Sequence, residues 1–96
     1  MDLKQLIERN YQSIKDRGLI TDKTTLEEQY TSVVCEMYEM NDAPLGSDHE
    51  AEEMADIVAA IFNYFKLSGR DPIKEFEKVV IKNEKRAAKC LVVKNN

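Results

Sequence analysis

Four stretches of the chain repeat apolar residues at helical spacing, and each is bounded by residues that start or stop helices. The first runs over about 2–17, with Leu3, Leu6, Ile7 and Ile14 near one face and Gly18 just past its end. The second, over 25–42, opens on Thr25-Leu-Glu-Glu28, the spacing of a capping box. Its stripe of Leu26, Tyr30, Val33, Met37 and Met40 is expected in the core. Ala43-Pro-Leu-Gly46 then breaks the chain, and Ser47-Asp-His-Glu50 offers a second capping box for a helix over 48–68, closed by Gly69. Between Met54 and Leu67 that third helix is apolar almost all round, interrupted only by Asp56, Asn63 and Lys66, the composition of a helix packed on more than one side. Asp71-Pro72 starts a fourth helix over 72–88, with Ile73, Phe76, Val80 and Val79 facing inward, and the polar end of residues 89–96 is expected to fray.

No sustained strand alternation exists outside the short Cys90 to Val93 run, and no internal repeat is visible. Short connections between successive helices favour antiparallel packing, so the expected fold class is all-α: a four-helix bundle in one domain of 96 residues. Fourteen Lys and Arg against 18 Asp and Glu leave a net charge of −4, which disfavours a broad electrostatic grip on nucleic acid or anionic lipid. Cys35 and Cys90 are too few for a disulfide scaffold and form no zinc motif, so both read as free thiols. No stretch approaches the roughly 18 apolar residues of a membrane span, and the N-terminus lacks a signal-peptide pattern. The expected location is cytoplasmic.

The sharpest chemical feature is a pair of carboxylate pairs: Glu36-Met-Tyr-Glu39 on the second helix and Glu53-Met-Ala-Asp56 on the third. Residues three apart lie about 60° apart around a helix axis and about 4.5 Å along it, so each helix can aim two carboxylates at one point. On the third helix Glu53, Asp56, Ala60 and Asn63 share a side opposite the stripe of Met54, Ile57, Val58, Ile61 and Phe65. Four gathered carboxylates would repel by roughly 3 kcal/mol per pair at about 5 Å and an effective dielectric near 20, so protons or a metal must compensate. Oxygen-only ligation suits a hard cation, Mg²⁺ first and Mn²⁺ as the alternative. His49 is the only histidine and no Glu-x-x-His pair exists, which removes the di-iron carboxylate ligand set. With 18 acidic residues in the chain, solvated surface charge stands beside the cation site as a reading of these residues alone.

The order Glu-x-x-Glu, a break, Glu-x-x-Asp and an apolar helix resembles the all-α nucleoside triphosphate pyrophosphohydrolases of the MazG-like superfamily, over roughly residues 25–88. Gln29, Gly69-Arg-Asp-Pro72 and Lys82-Asn83-Glu84-Lys85-Arg86 extend the likeness. The resemblance implies a Mg²⁺-dependent hydrolase that cleaves a (d)NTP between the α and β phosphorus, giving monophosphate and pyrophosphate. It implies that Glu36, Glu39, Glu53 and Asp56 hold the metal, with Glu39 the candidate general base and Lys82 and Asn83 candidates to contact phosphate. Many relatives carry a lysine and an acidic residue where this chain has Ser32 and Cys35. The resemblance also implies a bundle completed by assembly as a homodimer or homotetramer. The physical reading agrees, because so small a chain with an all-round apolar helix gains from burying it.

Two other functions compete. Phosphoribosyl-ATP pyrophosphatases share length and paired acids, but their denser Glu-Glu-rich first motif is matched poorly here. A helical interaction or regulatory module would keep the bundle without turnover. Lys78, Lys82, Lys85, Arg86 and Lys89 motivate a nucleic-acid module, which the net acidity opposes.

Overall fold

The computed structural model describes the backbone of residues 1–95 and the side chains of residues 1–90. Four helices, α1 (Leu3–Asp16), α2 (Leu26–Met40), α3 (Asp48–Leu67) and α4 (Pro72–Asn95), make up the chain, with no strand among the described residues. The punctuation that marks them in the sequence also builds them. Thr25 and Glu28 form the expected reciprocal box, Glu28 N–H donating to Thr25 Oγ1 at 3.1 Å and Thr25 N–H to Glu28 Oε1 at 3.2 Å. At α3 only half of the expected box forms. Ser47 Oγ accepts from Glu50 N–H, but the Glu50 carboxylate turns to Gly46 N–H at 2.8 Å. Asp71 Oδ1 accepts from Ile73 N–H at 3.0 Å to start α4.

Both α1 and α3 end in Schellman motifs. Gly18 N–H bonds Lys15 O and Leu19 N–H bonds Ile14 O, and the same pair recurs from Gly69 to Lys66 and from Arg70 to Phe65. Gly18 sits at φ +74 with open space where a Cβ would stand, so Gly18→Ala costs only backbone strain, about 1 kcal/mol. Chemical denaturation with an unchanged m-value is the check.

The hairpin of α2 and α3 is the main packed unit, α1 lies along α3, and α4 touches α3 only near its start. Pro72 is buried and Ile73 half-buried, whereas every side chain from Phe76 to Cys90 is exposed. Within one chain α4 therefore does not close the bundle. It also continues to Asn95 rather than stopping near Ala88, because Ala87-Ala-Lys-Cys-Leu-Val-Val93 contains no helix breaker. The frayed end expected over 89–96 is thus helical backbone as far as Asn95, and Asn96 lies outside the described residues.

The interior differs from the expected one. Of the α2 stripe, Leu26, Tyr30 and Met37 are exposed, Tyr30 to 62 %, while Val33 and Met40 are half-buried. On α3 the outward side is the apolar one, with Met54, Val58 and Ile61 exposed. Ala60 and Asn63 are the residues that α1 and α2 cover. Small and amide side chains let the three helices approach, while Met54, Val58 and Ile61 of the α3 stripe stay exposed and Ile57 and Phe65 are half-buried.

Candidate functional site

The turn after α2 folds tightly, with Asn41 N–H bonded to Tyr38 O, Ala43 N–H to Met40 O and Ser47 N–H to Pro44 O, and with Ala43 buried. It lays α3 back along α2. As a result one carboxylate oxygen from each of Glu36, Glu53 and Asp56 falls within 4.8 Å of the others. Glu39, the fourth expected member, is exposed and stands outside that trio, though near enough to act on Glu36. Lys82 lines a separate groove on α4 with Lys78, Lys85, Arg86 and Lys89, and neither it nor Asn83 lines the carboxylate cavity.

The trio is charge-frustrated. Burial, followed by repulsion from Glu39 and Asp56, pushes the Glu36 carboxyl above its ordinary 4.5, and a hydrogen bond with Glu39 and the charge of Glu53 push the same way. Glu53 Oε1 lies 3.3 Å from His49 Nε2, but Glu53 Oε2 is sealed from solvent with no hydrogen-bond partner. The three carboxylates could be neutralised by protons, by a charged His49 beside Glu53, or by a hard cation, which takes oxygen ligands.

The raised Glu36 value fixes a pH dependence. The proton it retains in the fold stabilises the protein fully below the unfolded value of about 4.5, and that contribution is lost as pH rises through the raised folded value. In EDTA, Glu36→Gln therefore raises the melting temperature at pH 7, and the gain shrinks towards zero below pH 4.5. Parallel melts of the two proteins across that range test it.

Beside the trio opens a cavity of about 470 Å³ between α1, α2 and α3, with Glu36 and Asp56 in its wall. Its other walls include Asn10, Arg17, Gln29 and Asn63. Gln29 and Asn63 are only 5 % and 4 % exposed. Gln29 Nε2 donates to Ala60 O at 3.2 Å, and Asn10 Nδ2 to Asn63 Oδ1 at 3.1 Å. Arg17, placed by the end of α1, makes no ion pair among the described residues. Sequence reading alone did not single out Asn10 and Arg17. Asn10 follows Ile7 and precedes Ile14 on the inward side of α1, a polar residue at an apolar position, which is the signal it carries.

Comparison with known protein families, curated proteins and solved structures finds no match for this chain.

Proposed function

We propose that the protein is a Mg²⁺-dependent nucleoside triphosphate pyrophosphohydrolase that releases pyrophosphate and a nucleoside monophosphate. One observation carries the reading: Glu36, Glu53 and Asp56, from two helices, converge within 4.8 Å beside a cavity large enough for a nucleotide's organic part. The motif resemblance to MazG-like enzymes supports it, since these three residues are matched motif positions.

In this reading Glu36, Glu53 and Asp56 hold the cation, with Mn²⁺ able to replace Mg²⁺. Bound there, the ion neutralises phosphate charge and makes a bound water more acidic. Glu39, adjacent to the trio but free of it, is the general base that accepts the proton of the attacking water. Arg17 supplies positive charge from the opposite helix, in the position of a phosphate clamp that the resemblance assigns to Lys82 and Asn83 on α4. The bond broken is one P–O bond of the α–β anhydride: the oxygen of water bonds to one phosphorus, the bridging oxygen leaves with the other, and the water's protons pass to the base and the products, giving nucleoside monophosphate and pyrophosphate.

The enzyme works as a homodimer or homotetramer in the same reading. Val58, Phe62, Ile73 and Phe76 line an almost wholly apolar groove of about 320 Å³ at the junction of α3 and α4, a surface that a second copy can cover.

The test is a panel of canonical and modified (d)NTPs with phosphoribosyl-ATP, in Mg²⁺, Mn²⁺ or EDTA. Metal-dependent turnover of nucleoside triphosphates supports the proposal. Turnover of phosphoribosyl-ATP alone moves the protein to that neighbouring activity. A folded protein inert across the panel is an interaction module.

A further inference from the structure

The cavity beside the carboxylates has an interior chemistry of its own. A primary amide has a carbonyl acceptor and an NH₂ donor, and an interior one is expected to use both. Gln29 is fixed by its Nε2 bond to Ala60 O, which leaves Oε1 without a protein partner. Asn63 receives Asn10 at Oδ1, which leaves its Nδ2 without one. Neither atom is sealed away, since the only sealed and unpartnered side-chain atom among the described residues is Glu53 Oε2. Both residues are more than nine-tenths buried and both line the cavity, so their spare acceptor and donor front that space. Ile14, Ile20, Ala59 and Ala60 supply aliphatic or small surface to the same wall, which also holds Arg17 and the Glu36 and Asp56 carboxylates.

We propose that this cavity is the seat of a nucleobase, its hydrogen-bonding edge read by Gln29 Oε1 and Asn63 Nδ2 and its faces covered by Ile14 and Ile20. A buried amide acceptor and a buried amide donor beside the aliphatic Ile14 and Ile20 fit a flat heterocycle that presents a ring carbonyl or ring nitrogen next to an N–H. Gln29 and Asn63 are neutral and carry no charge to balance a phosphate or carboxylate, and Arg17 is the one cationic side chain in the cavity wall. Asn10 is a positioning residue: its bond to Asn63 Oδ1 orients the Asn63 amide so that the NH₂ points to the base. The assignment deepens the pyrophosphohydrolase reading and rests on it for the identity of the ligand, while the hydrogen bonding of the two amides does not depend on the carboxylates that share the cavity wall.

The experiment is a titration of the ¹⁵N-labelled protein with each canonical nucleoside monophosphate in EDTA, watching side-chain amide resonances. Gln29→Glu and Asn63→Asp spectra assign the two signals. Saturable shifts at Gln29 and Asn63, with the exposed Asn41 amide still, support the seat; both signals unmoved by every monophosphate overturn it. In steady-state assays Asn63→Asp turns a donor into an acceptor, so KM for the preferred base rises at least tenfold and the ranking of bases changes. An unchanged ranking from folded variant protein overturns the proposal. Monophosphate-dependent shifts without hydrolysis of any triphosphate retain the seat and discard the enzyme reading; hydrolysis with silent amides does the reverse.

Discussion

Glu53→Gln and Asp56→Asn are each expected to abolish the proposed metal-dependent pyrophosphate release, by about a thousandfold or more, a loss of about 4 kcal/mol of transition-state stabilisation. The size follows from what each residue contributes. Glu53 holds a carboxylate oxygen with no hydrogen-bond partner among the described residues, and Asp56 belongs to the trio and lines the cavity. In the proposed site, neutralising either would leave two carboxylates to hold a divalent ion against water. The loss comes without unfolding, because each variant also removes repulsion from the trio. Far-ultraviolet circular dichroism and an EDTA melt no lower than that of the unmodified protein separate lost chemistry from lost structure. Retention of more than a tenth of the activity by both variants contradicts the assignment.

The second large effect concerns assembly. Phe76→Asp, 65 % exposed in the single chain, and Val58→Asp, 47 % exposed, should each convert an oligomer into monomer and lower the apparent stability by several kcal/mol. Fully burying a large apolar side chain stabilises by about 1.5–3 kcal/mol, and a charge in its place adds the cost of an unpaired buried ion. The protomer cannot compensate from within. Among the described residues the fully buried apolar ones are Ile7, Ile20, Ala43, Ala60 and Pro72, a small core, while Val79, Val80 and Ile81 of α4 are exposed. Light scattering on unmodified and substituted protein at several concentrations decides the matter. A unmodified chain that is monomeric and unfolds cooperatively at every concentration refutes the interface.

The helices were legible because their signals are local: Thr25 with Glu28, Asp71 with Pro72, and Gly18 and Gly69 at C′ need no tertiary information. The inside of the bundle was not. Helical periodicity separates an apolar side of α3 from a polar one, but does not say which of them the same chain covers. Here Ala60 and Asn63 are inward and Val58 and Ile61 outward. The three converging acids were legible as paired spacings flanking a short turn, whereas Glu39 stands outside the trio because i, i+3 geometry fixes a side of the helix and not the reach of each side chain. The cavity was hidden, since its wall joins Asn10 and Arg17 of α1 to residues of α2 and α3 far along the chain.

The carboxylate site is proposed to break the α–β anhydride of a nucleoside triphosphate with a divalent cation. Phosphorus NMR of a single reaction, started with Mg²⁺ and later quenched with EDTA, tests it most directly. The account predicts pyrophosphate and nucleoside monophosphate growing in equal amounts, no diphosphate intermediate, and an immediate halt on chelation. Orthophosphate with nucleoside diphosphate, or product growth that continues in EDTA, contradicts it.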